Sequence, residues 1–362
     1  MDAFLTDQSS CAVLRVSRYS EVPRLGESKL RTVSIDPGSR VQWWRRAVEE
    51  VSQLVEVDSR HPLCVLVPDR NERVRSPLVS STVCSAILPK GSFLTAEFGE
   101  GDAFLAIESS AHSFASLARA LDQAQRAKRL THLQARALLL AYGYELCGSY
   151  ARDARSPLTG ECHYRLEPVA SPEELSAWCL ARGGRNVRGS RLARDCAPQV
   201  MAGSASPAET IHGIVFTSPP ELGGLGMSDV LMNHSLDLSP EERLLVHRLP
   251  LTPDLTFPQL GGRVLEHQGN GHDAPRKYQE DASRSQDYAA LGRRMMMTSA
   301  VDLVTPQRYD AFLRRFFAWV RHDLGASAAQ PYQEVLDDPA CTTARHELVS
   351  ALTDRVHDPW SW

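Results

Sequence analysis

The chain has 362 residues and a formal net charge of −4, with 40 Lys and Arg set against 44 Asp and Glu. That near-balance excludes a global attraction to nucleic acid, so any nucleic-acid contact must come from a local basic patch. No stretch reaches the roughly 18–20 apolar residues of a membrane span, and the amino terminus lacks the apolar core of a secretory signal. Eight cysteines, at 11, 64, 84, 147, 162, 179, 196 and 341, show no Cys-x-x-Cys spacing. The spacing argues against zinc and disulfide frameworks and for reduced thiols in a cytoplasmic protein.

In chain order, residues 41–57 carry apolar side chains at helical spacing, with Trp43, Trp44, Val48, Val51 and Leu54 on one broad face. Strand-like runs follow at 63–67, 78–88 and 104–107, divided by Pro, Gly and Ser. Helical stretches cover 113–125 and 131–146, the second closed by Gly148. Ser171 and Pro172 are suited to the N-cap and first position of a helix over 171–181. Arg182, Arg185, Arg188, Arg191 and Arg194 then recur at every third residue. On a helix that spacing drifts slowly around the axis. The series therefore offers one basic face, either solvated, docked on acidic surface, or tracking a nucleic-acid backbone. Small residues near Gly203 mark a boundary, after which the order is helix, strand, strand, strand, helix, strand, helix. The expected fold class is α/β of the α+β kind: a mixed region over 1–203, an α/β domain over 204–325 and a C-terminal extension over 326–362.

The second half carries the chemistry. Ser206, Pro207 and Glu209 form an N-cap, a first helical position and a carboxylate that reaches back in a capping box. The same carboxylate could lean over the sheet towards a metal, and the two roles are compatible. Leu249, Leu251, Leu255 and Phe257 alternate with Thr252, Asp254 and Thr256, the period of a half-buried strand, and Pro253 marks an edge or bulge. In the next run Val264, Glu266 and Gln268 share one side, with Leu265 and His267 on the other. If the runs pair, Asp254, Glu266 and Gln268 converge. Two carboxylates on neighbouring strands suit Mg²⁺ or Mn²⁺, which can activate a water and steady the charge on a phosphate under attack. Gln268 can orient that water but brings no charge. His272, in a glycine-rich turn, is either a proton acceptor or an ordinary loop histidine. Residues 277–291 read as a helix whose Glu280, Arg284 and Asp287 form an exposed ion-pair face, with Lys277 and Arg284 able to touch a phosphate. Met295, Met296 and Met297 read as a buried strand.

The order Ser206-Pro207-x-Glu209-Thr210, Pro253-Asp254, Glu266-x-Gln268-Gly269-x-x-His272, Asp281-x-x-Arg284 and Leu291-Gly292 resembles small bacterial proteins related to very-short-patch repair endonucleases, within the PD-(D/E)XK nuclease superfamily. The resemblance spans about 204–325. It implies a restriction-endonuclease-like mixed sheet with helices on both sides and a Mg²⁺ site at one sheet edge. Glu209, Asp254 and Glu266 would be the metal ligands, Gln268 would replace the usual Lys, and His272 would be the auxiliary group. DNA would be the substrate, met by Lys277 and Arg284 together with Arg185 and Arg188, in phage defence or DNA repair. The whole-chain layout, with its Gly143-Tyr144-Glu145-Leu146-Cys147-Gly148-Ser149-Tyr150 segment, also resembles actinobacterial proteins grouped with AbiEi-type antitoxins. That likeness implies an inactive nuclease-fold DNA-binding regulator in a type IV toxin–antitoxin system, with a cognate toxin as partner. No helix-turn-helix is legible in residues 1–203.

Overall fold

The computed structural model describes residues 3–34, 43–98, 104–156, 161–181, 189–268 and 274–353, with backbone alone at 104 and 274–281. The protein is mixed α/β and divides into two units, Met1–Val200 and Met201–Asp354.

The first unit is built on strands β1 (Phe4–Leu5), β2 (Arg24–Glu27), β3 (Leu63–Val67), β4 (Val79–Val83), β5 (Phe93–Glu97) and β6 (Phe104–Glu108), in the order β2-β5-β6-β1-β3-β4. β3 is a continuous Leu-Cys-Val-Leu-Val run buried along its whole length, the composition of an interior strand covered on both faces. Around the sheet lie α1 (Asp7–Val16) and α2 (Trp43–Ser52), the latter burying Trp43, Ala47 and Val51. They are joined by α3 (Ser110–Arg126) and α4 (His132–Leu146). The end of α4 is held by Arg18, whose guanidinium donates to the carbonyls of Glu145, Gly148, Tyr150 and Glu167. The bond to Glu145 satisfies a carbonyl in the last turn of α4, and the others tie down the segments that follow. A short hairpin, β7 (Tyr150–Arg152) with β8 (Cys162–Tyr164), leads to α5 (Pro172–Leu180), which starts in a complete Ser171–Glu174 capping box. Helix α6 (Ser190–Cys196) begins after Gly189, whose φ of 80° is not helical. A single helix through the arginine series is therefore interrupted there. Arg191 and Arg194 lie on α6, whereas Arg182, Arg185 and Arg188 lie outside the described residues.

The second unit runs α7 (Pro207–Thr217), β9 (Leu231–Met232), α8 (Pro240–Arg243), β10 (Leu255–Phe257), β11 (Arg263–Gln268), α9 (Ala274–Ala290), β12 (Met295–Ser299) and α10 (Pro306–Leu324). Its sheet has the order β12-β11-β10-β9. β9, β10 and β11 are antiparallel, and β11 is parallel to β12 through the α9 crossover. β10 is much shorter than the alternation over 249–257 suggests, and it is an interior strand; Pro253 precedes it instead of lying on an edge. β12 is an edge strand, so Met297 is 42% exposed, contrary to the buried strand expected from three methionines. Residues 326–353 fold into α11 (Ala326–Asp337) and α12 (Pro339–Thr353), and both belong to this unit. Phe216 of α7, Phe257 of β10 and Phe316 of α10 meet with ring centroids 4.8–5.4 Å apart, pinning helix and sheet together. Among the described residues, no helix is long and apolar enough to cross a membrane.

Candidate active site

The antiparallel register of β10 and β11 places Leu255 opposite Leu265. One step further along the same ladder, Asp254 falls opposite Glu266. The Asp254 carboxylate is set by the backbone N–H of His267, which donates to Oδ2 at 2.6 Å. Glu266 is buried, and each of its oxygens has a donor from α9: Arg284 Nη1 at 2.7 Å from Oε2, and the Tyr288 hydroxyl at 2.8 Å from Oε1. Arg284 and Tyr288 are four residues apart and thus share one helical face.

Burial, followed by the charge of Asp254, pushes the Glu266 carboxyl up to about 8, while Arg284 and Tyr288 pull only partly the other way. Burial also raises Asp254, against the pull of the His267 N–H and of Arg284. The pair therefore holds a proton near neutrality, because a single guanidinium does not offset two desolvated carboxylates. A divalent cation would displace that proton.

Glu209 is placed differently. Its own N–H donates to Ser206 Oγ at 3.2 Å, and its carboxylate accepts from Ser206 Oγ and the Ala205 N–H, each at 2.8 Å. The carboxylate thus reaches one residue further back than an ordinary capping box. The side-chain amide of Asn233 also donates to it, while the Asn233 N–H bonds to the Asp254 carbonyl at 3.0 Å. Burial and then the charge of Asp254 raise Glu209 to about 7. Glu209 therefore feels the field of the site while its oxygens are engaged in the cap. Among the described residues, no group of three or more His, Cys, Asp or Glu side chains is arranged to hold a metal ion. The donor set that fits Mg²⁺ is the Asp254–Glu266 pair, since this hard cation is commonly held by one or two carboxylates with waters and substrate phosphate completing its shell.

The pair opens into a cleft of about 240 Å³ whose polar wall includes Arg248, Gln268, Arg284 and Asp287, with Met295 and Met297 on the apolar side. Gln268 is exposed at the end of β11, beside the carboxylates as the alternation requires. Arg284 does reach the site, through Glu266. Asp287 is buried and accepts from both the backbone N–H and the ring Nδ1 of His247. His267 turns away from Glu266, its ring 5.6 Å from that of the buried His212, which in turn bonds to the Tyr309 hydroxyl at 2.8 Å. His272 lies outside the described residues, as does the side chain of Lys277, whose backbone is in α9.

Sequence reasoning misses Arg248, His247 and Tyr288. Tyr288 had a signal, being one helical turn after Arg284. His247 had none, since its partner lies 40 residues away. Comparison with known proteins finds no matching family model, no matching curated protein and no matching solved structure.

Proposed function

We propose that the second unit is a Mg²⁺- or Mn²⁺-dependent DNA endonuclease that hydrolyses phosphodiester bonds, with Asp254 and Glu266 as the protein ligands of the cation. The observation that carries this reading is the opposed carboxyl pair, with Glu266 buried and Asp254 half-buried, one guanidinium between two carboxylates, and an opening to a polar cleft. A helix, three antiparallel strands with the one-turn α8 between β9 and β10, a second helix and a parallel strand support the restriction-endonuclease-like fold that the resemblance implies. A role in phage defence or DNA repair rests on that resemblance.

When bound, the cation supplies Lewis-acid polarisation of the phosphoryl group and a readily deprotonated water. The chain's own residues do the rest. Gln268 orients the attacking water by hydrogen bonding. Arg284, 46% exposed at its side chain, is positioned to stabilise charge on the phosphate, as is Arg248, which lines the same cleft. Glu209 fixes Asn233 and, through it, the backbone at Asp254.

A second reading is favoured by one specific feature. Arg284 already supplies positive charge to Glu266, and the position of the usual Lys holds uncharged Gln268. A non-catalytic DNA-binding regulator or antitoxin that keeps the fold as a scaffold has the same features. Calorimetric titration of Mg²⁺ and Mn²⁺ into the protein and into Glu266→Ala, with and without duplex DNA, separates the two. Binding with proton release that Glu266→Ala abolishes, together with DNA cleavage, is the expected result. Absence of metal binding even with DNA present sinks the nuclease reading in favour of the scaffold.

A further inference from the structure

We infer that His247 is the proton donor to the leaving oxygen of the cleaved diester, held in position by Asp287. The inference rests on the phosphodiesterase reading of the cleft.

Asp287 is 1% exposed on α9 and lines the same cleft as Asp254 and Glu266. Its Oδ1 accepts from the His247 backbone N–H at 2.8 Å and meets the ring Nδ1 at 2.6 Å. A backbone N–H can only donate, so Oδ1 accepts that bond, and the proposed role takes Nδ1–H as the donor of the second. The remaining ring nitrogen, Nε2, belongs to a side chain that is 64% exposed. A buried carboxylate that fixes the tautomer and orientation of an exposed imidazole is an arrangement suited to proton transfer. The loop that carries it is anchored: Val246 packs against the cluster of Leu251, Val264 and Tyr288, and Arg248, the next residue after His247, lines the cleft. Asp287 and Arg248 both line the cleft, so His247, bonded to the one and preceding the other, lies beside it.

In the reaction the water oxygen forms a new bond to phosphorus and its proton leaves to solvent. The bond from phosphorus to the leaving oxygen breaks, and protonated His247 passes its Nε2 proton to that oxygen. Solvent then reprotonates the ring. One water is consumed, one P–O bond replaces another, and nothing is oxidised or reduced.

The test compares the full-length protein with His247→Gln and Asp287→Asn on two diesters in Mg²⁺ or Mn²⁺. DNA has an alkoxide leaving group that needs a proton, whereas bis(p-nitrophenyl) phosphate has a stable phenolate that does not. His247→Gln should slow DNA cleavage by about 10²–10⁴-fold, the usual range for a lost general acid, and leave aryl ester hydrolysis nearly unchanged. Asp287→Asn should lower kcat on DNA in the same selective way. ¹⁵N-edited NMR of the metal-free protein should find the His247 proton on Nδ1 in the neutral ring, a readout independent of turnover. Equal losses on both substrates, no loss on either, or a neutral ring protonated on Nε2 would each overturn the role of His247. If the wild-type protein binds metal but cleaves neither ester, the phosphodiesterase reading falls and this inference with it. If the wild type cleaves both and His247→Gln matches it, only this inference falls.

Discussion

Glu266 carries a consequence for stability that does not depend on knowing the substrate. Its folded-state value of about 8 lies above the ordinary 4.5 because burial and the charge of Asp254 outweigh Arg284 and Tyr288. Between those two values the folded chain binds a proton that the unfolded chain has released, so raising the pH favours unfolding. The contribution is fully present below about 4.5 and is lost as the pH rises through about 8. The melting temperature of the second unit should therefore fall across that window, and Glu266→Gln should flatten the fall. Mn²⁺ should restore the wild-type protein at the alkaline end and do nothing for the variant. Glu108 in the first unit is likewise held near 8, by burial and then by Asp7, so Glu108→Gln should flatten the corresponding fall in the melting of the first unit. A profile unchanged by Glu266→Gln would show that the carboxyl is ionised in the folded protein at neutral pH.

At the scale of elements, α9 acts as a clamp, because Arg284 and Tyr288 grip the two oxygens of one carboxylate. Tyr288→Phe removes a buried donor and leaves Glu266 Oε1 short of a partner, at a cost of about 1–3 kcal/mol. It also removes a bond that lowers the Glu266 value, so the proton is held more tightly and cation binding at neutral pH should weaken. Calorimetry and thermal melts of Tyr288→Phe check both effects. Unaltered metal affinity would make Tyr288 a packing residue only. Such clamps also show where legibility in the sequence stops. The start of α5 was legible because its cap, its first-position proline and its Glu174 all lie within four residues. Most of the element order of the second unit was legible because its longer elements carry their own period, but two-residue β9 shows none and the short α8 was not expected. The partner of Arg284 was not, because local spacing offers Glu280 and Asp287 while the fold brings in Glu266. Two-residue β1, central in its sheet, has too few side chains to show a period at all. The opposition of Asp254 and Glu266 was partly legible. Alternation places each on a face, but only the register aligns them.

For the whole molecule, a net charge of −4 means that the proposed DNA substrate would have to be held by a few local cations against an unfavourable background. The carboxylate cleft offers Arg248 and Arg284. If each neutralises one phosphate, together they contribute about −1.8 to the slope of log affinity against log salt, from roughly 0.9 per phosphate. Replacing both with Ala should make the measured slope shallower by about that amount and weaken binding similarly on unrelated sequences, since phosphate contacts position DNA without reading it. An unchanged slope would place the DNA backbone away from this cleft and undercut the endonuclease reading at its substrate. A wild-type slope much steeper than about −2 would instead require further basic surface. The first unit then becomes the place to look, and Arg185→Ala with Arg188→Ala should remove the excess while leaving the contribution of the cleft intact.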